Sequence, residues 1–269
     1  MSRQKRFLLQ ESDLPKQWYN IQADMPHKPL PPLNPATKQP VSVDDLARIF
    51  CKACAQQELD TENAWIDIPE EVQEKYKYYR ATPLVRAYAL EEALGTPAHI
   101  YFKNESVNPL GSHKVNSALP QCYYCKQEGV TNVTTETGAG QWGAALSYAA
   151  SVYGLSAAVY QVKISMQQKP YRSLVMRAFG AAVTGSPSMS TRAGKDIITR
   201  DPLHQGSLGT AISEAVELAT TTPNCKYTLG SVLNHVTLHQ TIIGLEAEKQ
   251  MAMAEEYPDV VIGCFGGGS

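Results

Sequence analysis

A chain of 269 residues, 43% hydrophobic and 19% charged, is long enough to bury a sizeable core in one or two domains and has the balance of a globular protein. Its net charge of −2 leaves no basic footprint for nucleic acid or an anionic membrane. No apolar run reaches membrane-spanning length. The basic start at Arg3, Lys5 and Arg6 is followed only by Phe7, Leu8 and Leu9, too short for a secretory signal, so the sequence reads as cytoplasmic.

Residues 15–40 are rich in proline and lack an apolar period, which predicts extended chain lying on a surface. Residues 44–62 read as a helix, with Ser42 as N-cap before Asp44 and Asp45. A strand over 98–103 leads to a helix over 113–128, in which Pro120 removes a hydrogen bond or kinks the axis. Strands at 130–134, 157–162 and 181–184 then alternate with helices at 144–150, 169–179, 191–200 and 208–219. A strand-to-turn transition at 227–235 precedes a helix over 239–255, closed by Tyr257 and Pro258. The apolar run 259–264 reads as a buried parallel strand flowing into Gly266, Gly267, Gly268 and Ser269. This alternation predicts an α/β fold: parallel sheets, helices on both faces, and ligands outside the carboxyl ends of the strands. The six cysteines include two CxxC pairs, Cys51 with Cys54 and Cys122 with Cys125. Each lies within a helical pattern, so they read as small core residues rather than zinc ligands or disulfides.

Three segments carry chemistry. Lys114 follows the Gly111-Ser112 turn and His113, at the start of a helix. A lysine so placed can present its amine to an aldehyde cofactor, and lysine is the side chain that holds pyridoxal phosphate covalently. The stretch Glu136-Thr137-Gly138-Ala139-Gly140-Gln141-Trp142 joins a strand end to a helix start. Unpaired N–H groups there suit an anion such as a substrate carboxylate, with Glu136 at the mouth as the group best placed to hold a proton. The glycine run before Ser269 can fold its N–H groups around a phosphate. Taken singly, each has a plainer reading: a solvated lysine, a capped turn and a flexible tail.

Together, Lys103-Asn104-Glu105, the run from Gly111 to Asn116, the run from Glu136 to Gly143, the stretch 230–240 and Gly266-Gly267-Gly268-Ser269 resemble the β chain of tryptophan synthase, from about Thr82 onward. The proline-rich N-terminal extension, the segment 167–172 and Trp142 are most similar to the second, stand-alone type of that chain. The common type usually has histidine where Trp142 stands, and the family more often has proline in place of Ala81.

The resemblance implies a fold-type II pyridoxal-phosphate enzyme with two three-layer α/β domains of parallel-rich sheets. Residues 1–79 would form an N-terminal extension and helical segment, and 80–112 the first part of the second domain. Residues 113–235 would form the N-terminal α/β domain with its mobile substrate subdomain, and 236–269 the start of the remainder of the second domain. It implies a lyase that replaces the hydroxyl of L-serine by indole to give L-tryptophan, acting as a homodimer for which an α subunit is not required. Lys114 and Glu136 would be catalytic. His113, Lys114, Asn116, Gly266, Gly267, Gly268 and Ser269 would hold pyridoxal 5'-phosphate. Thr137, Gly138, Ala139, Gly140 and Gln141 would bind the substrate carboxylate. A related enzyme acting on another serine- or threonine-type substrate is the alternative, as is a protein that keeps the fold without the chemistry. The family continues past the position of Ser269, so the chain reads as a fragment, expected to bind the cofactor poorly, associate readily and make no tryptophan by itself.

Overall fold

The structure, a computed structural model, describes residues 4–268. From the N-terminus, β1 (Arg6–Phe7) and β2 (Gln17–Tyr19) precede α1 (Val43–Ala47), α2 (Lys52–Leu59), β3 (Trp65–Asp67) and α3 (Glu70–Tyr76). Next come β4 (Leu84–Arg86), α4 (Tyr88–Leu94), β5 (Tyr101–Lys103), α5 (Val115–Gln127), β6 (Asn132–Thr137) and α6 (Gln141–Tyr153). The chain continues through β7 (Ser156–Val162), α7 (Lys163–Gln168), α8 (Pro170–Ala178), β8 (Ala182–Ser186), α9 (Arg192–Arg200), α10 (Leu208–Thr221), β9 (Cys225–Tyr227) and α11 (Asn234–Met253).

The centre is a parallel sheet in the order β8-β7-β6-β9. On one face, α5 and α6 bury Leu119, Ala145, Leu146 and Ala149 against Val133 and Val159. On the other, α10 lays Ala211, Ala215 and Ala219 over Tyr160, Val162 and Tyr227. Small alanines let the helices approach the sheet closely, and β-branched residues fill the strands, so the predicted alternation becomes three layers. A smaller antiparallel sheet, β1-β4-β5, sits apart, and β2 pairs with β3. Pro120 lies inside α5.

Three expectations change. Residues 44–62 are two helices. Ser42 caps α1 in a reciprocal capping box with Asp45, but the backbone then turns: Ile49 O accepts from Tyr227 N at 2.9 Å and Cys51 is extended. A new helix starts where Glu128 accepts the Lys52 and Ala53 N–H groups at 2.8 and 3.0 Å. A remote cap and a remote strand end therefore overrule local helix propensity. Second, α11 begins at Asn234, because Glu58 accepts from His235 N at 3.0 Å and from its ring at 2.9 Å. Third, 259–264 forms no strand. Val260, Val261 and Ile262 are 74%, 83% and 92% exposed, and among the described residues no strand pairs with them. A strand exists only as one side of a ladder.

The four CxxC cysteines are free thiols, each at most 2% exposed, in the core between α2, α5 and their neighbours.

Candidate active site

The site lies at the carboxyl ends of β6 and β9, where a doubly covered parallel sheet leaves room for a ligand. Asn108 shapes one wall. Its Oδ1 accepts from the N–H groups of Leu110 and Ser112 at 3.0 and 3.3 Å, and its Nδ2 donates to Glu105 O and Ser112 O at 2.6 and 2.7 Å. This side chain templates the turn that delivers Lys114 to the start of α5. The opposite wall is the end of β6 and the loop into α6. Gly140, the N-cap of α6, has φ of +94°, and a Cβ there would stand 2.7 Å from the Arg172 side chain. Only glycine meets both conditions without strain.

Between the walls is a cavity of about 360 Å³, lined by Lys114, Glu136, Thr137, Gly138, Ala139 and Gln141, and closed by Trp142, Leu208, Gly230, Ser231 and Gly267. That volume falls in the range of small-molecule sites. Two hollows of about 410 and 540 Å³ lie against the N-terminal segment and α3 or α11, without a glycine loop.

Lys114 Nζ donates to Gly230 O at 2.7 Å. Burial lowers the pKa of this amine, with Cys264 and Glu136 opposing. Glu136 is 6% exposed, and burial raises its pKa, opposed by the hydrogen bond from Tyr227 Oη at 2.5 Å and by Lys114. An amine shifted down and a carboxyl shifted up, facing one cavity, is an arrangement suited to proton transfer near neutral pH.

The structure brings Lys114, Glu136, Thr137, Gly138, Ala139, Gln141 and Gly267 together. Gly140, the N-cap of α6, stands behind them. His113 is half-buried beside Lys114, its pKa lowered by burial and by that neighbour. Gly266 and Gly268 flank the cavity residue Gly267, and Gly268 O accepts from Val232 N at 3.3 Å. Ser269 lies outside the described residues. Asn116 is a correction. It is fully buried, accepting from Arg80 and Tyr79 and donating to Glu105 and Gln240 at 2.8–3.2 Å. Two residues beyond Lys114 on a helix, it points to another side, so it does not reach the cavity.

Tyr227, Gly230 and Ser231 lie in the strand-to-turn segment marked from the sequence, but neither they nor Leu208 were named as site residues. Tyr227 acquires its role only because β9 pairs with β6, which places its hydroxyl against Glu136. No local signal marks that pairing. A buried charge cluster behind the site was equally hidden: Arg80 bonds Glu246 at 2.6 and 2.8 Å and Glu105 at 3.1 Å, while Lys103 reaches Glu246 at 2.7 Å.

The family profile described as "Pyridoxal-phosphate dependent enzyme" matches residues 76–269. The chain belongs to the pyridoxal-phosphate dependent enzymes. Among members of that family it is 55% identical over 261 residues to the "Tryptophan synthase beta chain 2" of Thermotoga maritima, covering 97% of this chain and 62% of that one. It is 54% identical to the protein of the same name from Aquifex aeolicus, covering 98% and 61%, and 53% identical to that of Methanosarcina acetivorans, covering 99% and 60%. The chain thus spans about 60% of the length of these curated relatives. A crystal structure of a pyridoxal 5'-phosphate-dependent aspartate racemase superposes with a TM-score of 0.50 at 24% identity, covering 68% of this chain and 51% of that one, a likeness of fold alone. The cavity fits the family's cofactor in its donor set: a half-buried amine to bond it, and a glycine, Gly267, so close to its neighbour that a Cβ there would stand 2.6 Å from Ser231 Oγ.

Proposed function

We propose that this chain is part of an enzyme that makes L-tryptophan from L-serine and indole, a carbon–oxygen lyase with pyridoxal phosphate bonded to Lys114. The observation that carries the reading is the convergence of the Lys114 amine, the Glu136 carboxyl and the 137–141 loop on one cavity, in a chain more than half identical to proteins named tryptophan synthase beta chain 2. His113 and the 266–269 loop would hold the phosphate. The cofactor, when bound, supplies the electron sink that makes the substrate Cα proton removable. Once the substrate amine has taken its place on the cofactor, the freed Lys114 amine would serve as the base for that proton, because burial favours its neutral form. Glu136 holds a proton at its carboxyl for the departing serine hydroxyl. Thr137, Gly138, Ala139, Gly140 and Gln141 orient the substrate carboxylate at the start of α6. On this reading 113–235 is the N-terminal α/β domain, 80–112 and 236–269 belong to the second domain, 1–79 is the extension, and the assembled enzyme is a cytoplasmic homodimer that needs no α subunit.

Incubation of the full-length protein with pyridoxal phosphate, borohydride reduction and peptide mapping should place the pyridoxyl group on Lys114. Lys103 is engaged by Thr82 O, Glu246 and Gln250 at 2.5–2.8 Å, so a label there or on Lys169 would sink the reading.

A further inference from the structure

A line of polar side chains runs through the core behind Lys114. Gln121 stands seven residues after Lys114, on the same stripe of α5, and is 2% exposed. Its amide grips both backbone groups of Leu229: Nε2 donates to Leu229 O at 2.8 Å, and Oε1 accepts from Leu229 N at 3.3 Å. The second Nε2 hydrogen goes to Ser117 Oγ at 2.9 Å. Ser117 Oγ lies 3.1 Å from His239 Nδ1, and His239 Nε2 lies 2.9 Å from Gln57 Oε1. Gln57 spends its Nε2 on Tyr124 Oη at 3.1 Å, so its Oε1 is the acceptor for His239.

With the Gln57 amide so placed, a neutral His239 sets one consistent direction for every bond. His239 donates from Nε2 to Gln57 and accepts at Nδ1 from the Ser117 hydroxyl, whose oxygen accepts from Gln121. Burial favours the neutral imidazole on which this set of bonds is built. His239 is fully buried, and burial, with His235 next, holds its pKa well below the usual value. The other groups around the relay are Glu58, bonded to His235, and the phenol of Tyr124. Reversing the Gln121 amide would set donor against donor at Leu229 N, so the Leu229 backbone orients the amide, and the bond to Ser117 at the end of the relay holds its remaining Nε2 hydrogen.

The next carbonyl along, Gly230 O, is the one that accepts from Lys114 Nζ at 2.7 Å. The segment is held from its other side as well. Trp142 Nε1 donates to Thr135 Oγ1, which donates to Thr228 O, both at 2.7 Å, and the Trp142 ring lies so close that a Cβ on Gly230 would meet it at 2.3 Å.

We propose that Gln121, locked by Ser117 and neutral His239, is a positioning residue that aims the Gly230 carbonyl at the Lys114 amine and so sets the place and charge of that amine. The proposal rests on the reading of Lys114 as the cofactor lysine, and its test measures the amine without the cofactor. Among the described residues, the titratable groups acting on Lys114 include Glu136 from β6 and Cys264 from the C-terminal segment, with His113 adjacent. A carbonyl acceptor favours the ammonium, so loosening it moves the titration midpoint of Lys114 down.

Competitive acetylation with acetic anhydride across pH, quantified peptide by peptide, reads that midpoint. Exposed Lys126, on the same helix, is the internal reference. In Gln121→Met the Lys114 midpoint should fall by about half a pH unit while that of Lys126 stays fixed. Ser117→Ala, which frees the amide without removing it, should shift Lys114 the same way by less. A folded Gln121→Met protein with the parent midpoint would overturn the proposal. If that variant does not fold, an unchanged midpoint in Ser117→Ala overturns it instead. Borohydride mapping, run in parallel, fails separately if Lys114 is not the cofactor lysine.

Discussion

In the full-length enzyme of which we propose this chain is part, replacing Glu136 by alanine is expected to leave pyridoxal phosphate attached to Lys114 and to cut tryptophan formation from serine and indole by about 10²- to 10⁴-fold, the usual cost of losing a positioned proton donor or acceptor. The carboxyl is buried at the end of β6, at the edge of the cavity. Burial raises its pKa, and the hydrogen bond from Tyr227 opposes that rise. The signs can be separated. Tyr227→Phe removes the opposing bond, so the Glu136 pKa should climb further and the high-pH limit of a step that needs the acid form should move upward. Steady-state rates against pH for both variants, with the borohydride label as a check on cofactor attachment, measure this. An alanine variant within threefold of the parent rate would reduce Glu136 to a cap on the loop.

Arg80→Met is expected to destabilise the fold by about 3–5 kcal/mol, the cost of stripping one partner from a buried ion pair. The cluster of Arg80, Lys103, Glu105 and Glu246 holds two positive and two negative groups, and the Arg80 and Glu246 side chains have no exposure. Removing the guanidinium leaves two carboxylates facing one ammonium, and Asn116 loses a donor. Burial works against the charged form of Glu105, and Arg80 is the main group that nevertheless keeps its pKa below the ordinary value. The methionine fills volume but supplies no donors. Calorimetric unfolding should show a midpoint lowered on the order of 10 °C. The double variant Arg80→Met with Glu246→Leu should recover part of the loss, since apolar replacement of a whole buried pair is often tolerated. A single variant that melts within about 2 °C of the parent would mean that water enters and screens the cluster.

Both predictions depend on contacts between residues far apart in the chain, and they mark how far the sequence could be read. Some of the molecule was legible residue by residue. The Ser42 cap with Asp45, the β-branched run that becomes β6, the alanines of α6 and the alternation that becomes three layers are all consequences of local preference and periodicity. The lysine at the head of α5 and the glycine loop after β6 were legible for the same reason: a turn and a helix start expose backbone donors wherever they occur. Their meeting in one cavity follows once both are placed at the same end of the sheet.

Other features had no local cause. The helix expected over 44–62 breaks because Glu128 and Tyr227 claim its backbone groups. Residues 259–264 have the composition of a strand, yet strand is a property of a pair, and no described strand pairs with them. Asn116 looked close to the cofactor because it is two residues from Lys114, but two residues on a helix is half a turn, and the side chain joins Arg80 instead. The roles of Tyr227 and Gln121 carried no signal, since they lie in what stands opposite these residues across β6 and across the Leu229 backbone. The sequence by itself determined which groups could do chemistry and which elements would carry them. Only the tertiary structure decided which way each side chain faces and what it meets there, because those are set by packing between elements rather than by neighbours along the chain.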